Sequence, residues 1–413
     1  MRISTPQMQL SALNSIVSQQ AALSKTQVQV ATGKRIQTPA DDPIASSALL
    51  DLSQSVSVTD QYQRAAEAAK TRLVLEDGTL SHVQDVLQRV HDLVIQTGST
   101  LLSNSDRQQI SEEAQQILDG LLAAANTTDT NGDYLFAGYQ SSTIPFSRNS
   151  NGTYNYSGDD GQRAAQIGAS LLINDGDSGT SVFRNIKNGN GTFQTVEGGN
   201  TITPGPNSGS AVIDPGKVSG TFVADTYTIA FTQVPASSPV SYTYTVTNSA
   251  AAVIAGPAAY TDGAEIDLSA VGIKTSIRGT PADGDTFTLS PSTNQDVLQT
   301  VQNFVDTLRL GFHDAASQAV YENALNRAGV DLTAAMSNVL GIQVQVGARL
   351  NSVDEQIANN DSYTAYLKEA KSNIEDLDFP EAVSRMNQQM VSLQAAQQSF
   401  VRIQNLSLFE FLR

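Results

Sequence analysis

ALNSIVSQQAALSKTQVQV, residues 12–30, and FPEAVSRMNQQMVSLQAAQQSFVRIQ, residues 379–404, stand at opposite ends of a 413-residue chain and are built alike. In the first, Leu13, Ile16, Gln20, Leu23, Gln27 and Val30 recur in steps of three and four. In the second, Phe379, Val383, Met386, Met390, Leu393, Gln397, Phe400 and Gln404 do the same. A seam repeating every 3.5 residues is a coiled-coil signal, and such a seam needs a partner helix. The simplest partner is the other end of the same chain. Both segments are Gln-rich and nearly free of acid, although the formal net charge is −17. The two ends are therefore expected to form a joining element, with everything between them an insert.

Working outward, 19 of the 29 glycines and 9 of the 13 prolines fall between 139 and 293, so the flanks are predicted to be helical and the middle not. A first helix should span about 7–33 and stop at Gly33, a natural residue for the turn after a helix end. RIQTPADDP follows; Asp41 or Asp42 is placed to cap a helix whose first turn holds Pro43. That helix should run to about Thr97 on Ala45, Leu49, Leu52, Val56, Ala66, Leu73, Leu80, Leu87 and Val94, long enough to be a rod. A third should start near Ser105 or Asp106 and carry Ile110, Ala114, Ile117, Leu121 and Ala125.

The middle alternates with period two. TYTIAFT (226–232) and VSYTYTVT (240–247) read as strands, the second with Val240, Tyr242, Tyr244 and Val246 on one face. Turn clusters at 235–239, 259–265 and 280–287 suit an antiparallel sandwich or barrel. Helix is expected again over about 295–325 and 327–377, and Pro380 opens the last one. The predicted fold class is α+β: a long helical bundle made by both chain ends, with an inserted antiparallel β domain. The expected divisions are 1–42 with 376–413 (terminal coils), 43–138 with 294–375 (rod) and 139–293 (β-rich insert).

Composition excludes several functions. With a pI near 4.5, no basic stripe is available for nucleic acid or an anionic membrane surface. The absence of cysteine removes thiolate metal sites, disulfides and a cysteine nucleophile. No apolar run is long enough for a signal-peptide core or a membrane span, so an export route that reads something other than a cleavable signal is expected.

No catalytic constellation, cofactor site or metal site is expected. His82, His91 and His313 lack the helical spacing of a metal pair. Asp129, Asn131 and Asp133 match the start of a helix–loop–helix Ca²⁺ loop, but Tyr134 stands where glycine is needed and Gln140 where glutamate is needed. Asp175 and Asp177 fail in the same way at Ile186. Asp159–Asp160–Gly161 reads as a turn, and NGNGTF (188–193) lacks the third glycine of a dinucleotide loop.

The opening MRISTPQM, VATGKRIQTPADDPIA at 30–45, DRQQISEEAQQIL at 106–118 and NTTDTNGDYLFAGYQ at 126–140 resemble the flagellin superfamily, as does RMNQQMVSLQAAQQSFVRIQNLSLFEFLR at the C-terminus. The likeness covers both flanks. It is greater to the members that join hook to filament than to flagellin, the alternative, because this chain begins MRIST and ends FEFLR. The resemblance implies an axial structural component of a bacterial flagellum, exported by the flagellar type III apparatus and located where hook meets filament. It implies a self-assembled ring of about eleven copies between the first hook-associated protein and flagellin, with a cytosolic export chaperone holding the C-terminal helix beforehand. Subunit contacts would fall to Leu13, Ile16, Gln20, Leu23, Gln27 and Val30 and to Met386, Met390, Leu393, Gln397, Phe400 and Gln404, with the four glutamines setting register. Ile403, Leu406, Phe409 and Leu412 would contact the chaperone. Two other classes weigh less. A sugar-binding insert lacks any Trp to stack on a sugar, and a type III needle protein would lack TPADDP followed by DRQQISEE.

Overall fold

The structure, a computed structural model, describes residues 5–99, 102–235 and 239–411, and within them the side chains of all but 5–6 and 403–411. Helices α1 (Thr5–Thr32), α2 (Pro43–Thr97) and α3 (Asn104–Ala125) precede the strands, and α4 (Val297–Arg309), α5 (Ala315–Glu375) and α6 (Phe379–Phe411) follow them. The chain divides into two compact units, 1–65 with 356–413, and 66–355; α2 and α5 each contribute to both.

In the terminal unit α1 and α6 lie along one another and antiparallel, because the end of α1 meets the start of α6: Leu377 N–H donates to Gly33 O at 2.9 Å.

The central unit begins with the core row of α2. Ala66, Ala69, Leu73, Leu80, Val83, Leu87, Val90 and Leu93 are buried in steps of three, four and seven, as the periodicity requires. Ser103 caps α3, which starts at Asn104, slightly before the expected Ser105 or Asp106; its Oγ accepts from Asp106 N–H while the Asp106 carboxylate accepts from Ser103 N–H. Val301, Phe304, Val305 and Leu308 of α4 and Leu325, Leu332, Val339 and Val346 of α5 complete the helical core.

The break between α4 and α5 falls at 310–314, not near 326. Asp314 supplies the stop and restart, its Oδ1 accepting from Ser317 N–H at 2.8 Å, and Phe312 is pinned beneath the Arg107 guanidinium, 3.9 Å from the ring centroid. Around 326 nothing interrupts the buried row of Tyr321, Leu325, Ala328 and Leu332.

Strands β1 (Phe146–Arg148) and β2 (Tyr154–Tyr156) form one hairpin, and β3 (Ala164–Gln166) and β4 (Leu172–Asn174) another; β5 (Ile186–Lys187) pairs with β15 (Asn294–Gln295). Two further sheets enclose one core. The larger, ordered β11-β10-β9-β14-β6, comprises Val253–Ala259, Tyr242–Thr247, Tyr227–Gln233, Asp285–Pro291 and Phe193–Asn200. The smaller is β12 (Glu265–Leu268), β13 (Ile273–Arg278) and β7 (Val212–Ile213), with β8 (Lys217–Val218) also on β13. Register places Ile229 between Val246 and Phe287, so three central strands point apolar side chains to the same face. Those residues meet Ile213, Ile266, Leu268, Ile273 and Ile277 of the smaller sheet. The expected sandwich is therefore present, although Val240 lies outside β10 and exposed. Two buried side chains of α5 fasten the strand region: Asn323 Oδ1 accepts from Ile213 N–H at 2.9 Å, and Asp331 from Gly189 N–H at 2.7 Å.

Among the described residues, no helix is long and apolar enough to cross a membrane.

Candidate assembly interface

The joint between the chain ends is built from the residues after Gly33. Gly33 closes α1 with φ +72°, a conformation costly for any side chain, while the Phe379 ring lies beside it. The chain then pairs with the segment before α6. Arg35 N–H donates to Glu375 O at 2.7 Å, the Arg35 guanidinium to Ile374 O at 2.8 Å, and Lys34 Nζ sits 2.5 Å from the Glu375 carboxylate. Gln29 Nε2 donates to Arg35 O at 2.7 Å and Ile36 is buried. TGKRI is thus a splice between the two ends.

The two aspartates that follow have different tasks. Asp42 caps α2, its Oδ1 accepting from Ala45 N–H at 3.1 Å, while Pro43 occupies a first-turn position where no N–H is needed. Asp41 caps nothing. Its carboxylate accepts from Gln37 N–H, Thr38 N–H and the Thr38 hydroxyl, and pairs with Lys25 of α1 at 2.7 Å. Lys25, then these amides, hold the Asp41 carboxyl well below its ordinary range.

The terminal seams follow the sequence in one column and depart from it in the other. Ile16, Leu23 and Val30, and equally Met386, Leu393 and Phe400, are half-buried as expected. The second column on α1 is Ala12, Gln19 and Thr26, not Leu13, Gln20 and Gln27, which are exposed. On α6 it is Ala382, Gln389 and Ala396, and Val383, Met390 and Gln397 are exposed, as is Phe379. In that second column both helices have turned so that Ala12, Thr26, Ala382 and Ala396 face inward and Leu13, Val383 and Met390 outward. Leu13 is 45% exposed, Val383 40% and Met390 39%, and Leu10, Val17, Val28, Val391 and Val401 are exposed as well. Gln20, Gln27 and Gln397 therefore set no register within the subunit; Gln19 and Gln389 occupy its seam, each with a buried Oε1 that has no partner. The side chains of Ile403, Gln404, Leu406 and Phe409, and the whole of Leu412, lie outside the described residues. Ala12, Thr26, Ala382 and Ala396 carry no apolar signal strong enough to be read from periodicity.

The acids that imitate Ca²⁺ loops are bound to arginines. Asp129 pairs with Arg72 at 2.7 Å, Asp175 with Arg163 at 3.0 Å, and Asp177 with Arg349.

Residues 3–141 match the bacterial flagellin N-terminal helical region, and residues 315–412 the C-terminal one, which defines the class. Flagellar hook-associated protein 3 of Escherichia coli is 26% identical over 411 residues, 99% of both chains, and that of Salmonella typhimurium 35% identical over 186 residues, 45% of this chain and 58% of the relative. The crystal structure of flagellar hook associated protein-3 from Legionella pneumophila superimposes with a TM-score of 0.72 at 31% identity, covering 78% of this chain and 98% of that one. Flagellin of E. coli matches over only 151 residues, 30% of its length, at 28% identity. The chain belongs to the flagellar hook-associated protein 3 family of the flagellin superfamily.

Proposed function

We infer that this chain is a structural subunit of the bacterial flagellum that joins hook to filament. It assembles by covering, with neighbouring subunits, the apolar surface that α1 and α6 leave open. The observation that carries this is the inversion of the terminal seams. A helix pair that keeps alanine inside and Leu13, Val17, Val383 and Met390 outside has satisfied one face and leaves a second unpaired. No chemistry is assigned to the chain; its work is mechanical.

Residues 1–42 and 376–413 act as the assembly coils, 43–138 and 294–375 as the rod, and 139–293 as the outer β domain. Neighbouring subunits take Leu13, Gln20, Gln27, Val383, Met390 and Gln397, while the column of Ile16, Leu23, Val30, Met386, Leu393 and Phe400 holds the subunit's own pair. About eleven copies close a ring between the first hook-associated protein and flagellin. Before export a cytosolic chaperone covers Ile403, Leu406, Phe409 and Leu412, and the flagellar type III apparatus carries the chain out.

Antibody-gold electron microscopy on intact flagellated cells tests the location. A band of label at the hook–filament boundary is expected; label along the whole filament would make the chain a filament subunit.

A further inference from the structure

Among the described residues, the buried row of α2 contains one carboxylate. Between Leu73 and Leu80 the next core-facing position is Glu76, only 1% exposed. Its Oε1 accepts from Asp177 N–H at 3.0 Å, but its Oε2 is buried without a partner. A buried carboxylate oxygen with no donor is costly to keep ionised.

The groups around it relieve that charge only in part. One turn earlier on α2, Arg72 donates Nη1 to Asp129 at 2.7 Å and Nη2 to Tyr134 O at 3.2 Å, and its Nε is buried without a partner. From α5, Arg349 pairs with the Asp177 carboxylate, which also accepts from Gln162 Nε2 at 3.2 Å. Arg163 pairs with Asp175 and lies 3.7 Å from Asp133. Five carboxyls (Glu76, Asp129, Asp133, Asp175 and Asp177) thus share three guanidiniums. The backbone of the 174–178 loop lies directly above: a Cβ on Gly176 would sit 3.5 Å from Arg72 Nε and 3.9 Å from Glu76 Oε2. Arg349 Nη1 reaches Asn174 O at 3.4 Å, so the loop is held from α2 and from α5.

We propose that Glu76 is a proton-coupled latch: with its proton it seats the 174–178 loop between α2 and α5, and when ionised it releases that loop. Burial first, then the neighbouring Asp177 carboxylate, push the Glu76 pKa up to about 8, and Arg349, the Asp177 N–H and Arg72 offset this only in part. Because the folded value lies above the ordinary 4.5, the seated state holds a proton that the open state gives up. Seating is therefore fully favoured at low pH and weakens as pH rises towards about 8.

Denaturant unfolding and amide exchange of the full chain between pH 5.5 and 9 test the latch. In the wild type, the opening constant of residues 174–179 should rise about tenfold per pH unit up to about 8, beyond the intrinsic pH effect on exchange, and then level off. Glu76→Gln keeps the shape without the titration and should remove that slope. Equal slopes in the two proteins would overturn the proposal. If Glu76→Gln does not fold, Asp177→Asn decides: the levelling-off should move to lower pH, and an unmoved one would overturn it.

Discussion

The two compact units solve the problem of apolar surface in opposite ways. Residues 66–355 bury Leu73, Leu80, Phe136, Phe183, Phe231, Phe287, Phe304, Leu332 and many others at or near zero exposure. In the terminal unit, the buried apolar side chains among the described residues are Ile36, Leu367, Leu377 and Ala382, and of these Ala382 alone is at zero exposure. Many of its larger apolar residues, among them Leu10, Leu13, Val17, Tyr366, Val383 and Val391, are exposed. Burial contributes about 25 cal/mol per Å² of apolar area, so the first unit carries its own stability while the second draws little from its own interior. Such a helix pair is expected to be only marginally stable in the free subunit and to be stabilised when neighbours cover it.

Several substitutions would break or sharpen this contrast. The largest effect belongs to Phe287→Ala in the sandwich core, which should cost about 3–5 kcal/mol by denaturant unfolding. The matching truncation Val391→Ala should change unfolding of the free subunit by less than about 0.5 kcal/mol; comparable losses at the two sites would abolish the distinction. Next comes Ala382→Leu, which overfills the close approach of α1 and α6 and should cost about 1–3 kcal/mol, read as lost helicity of the terminal unit by circular dichroism. Asp42→Ala removes the cap of α2 and should cost about 1 kcal/mol, seen as faster exchange at Ala45 and Ser46. The smallest effect on the free subunit is expected for Leu13→Ser, unchanged in helicity, yet swimming should be lost if the outer column makes the subunit contacts. A motile Leu13→Ser strain would remove that column from the interface.

Acid gives an independent probe of the splice between the ends. The Asp41 pKa is lowered on folding, so its contribution is present above the ordinary value of 3.8 and is lost progressively as pH falls below it. Exchange at the Gln37 and Thr38 amides should quicken in that range in the wild type. Asp41→Asn should exchange rapidly already at neutral pH; protection there equal to the wild type would show that Lys25 and the carboxylate do not hold the turn.

Much of this architecture is written in local residues. Gly33, the Asp42–Pro43 cap and the three/four spacing of Leu73, Leu80 and Leu87 fix where helices begin, end and face, because capping and periodicity act within one or two turns. The alternation in TYTIAFT and YTYTV fixes strands in the same way. On each terminal helix the sequence also determined the central column of the seam: Ile16, Leu23 and Val30, and Met386, Leu393 and Phe400. Tertiary structure decided which flank of that column turns inward. Residues three and four positions along lie on either side of it, so Gln19 and Gln20, or Gln389 and Met390, are equivalent until a partner helix approaches. The approach selected Ala12, Thr26, Ala382 and Ala396, whose small side chains let the helices come close, and left the larger residues for another surface. Packing likewise settled the break at 310–314, through the seat of Phe312 under Arg107, and placed Glu76 in a core row, where loops distant in sequence surround its carboxyl. Each of these depends on a neighbour that local sequence does not specify.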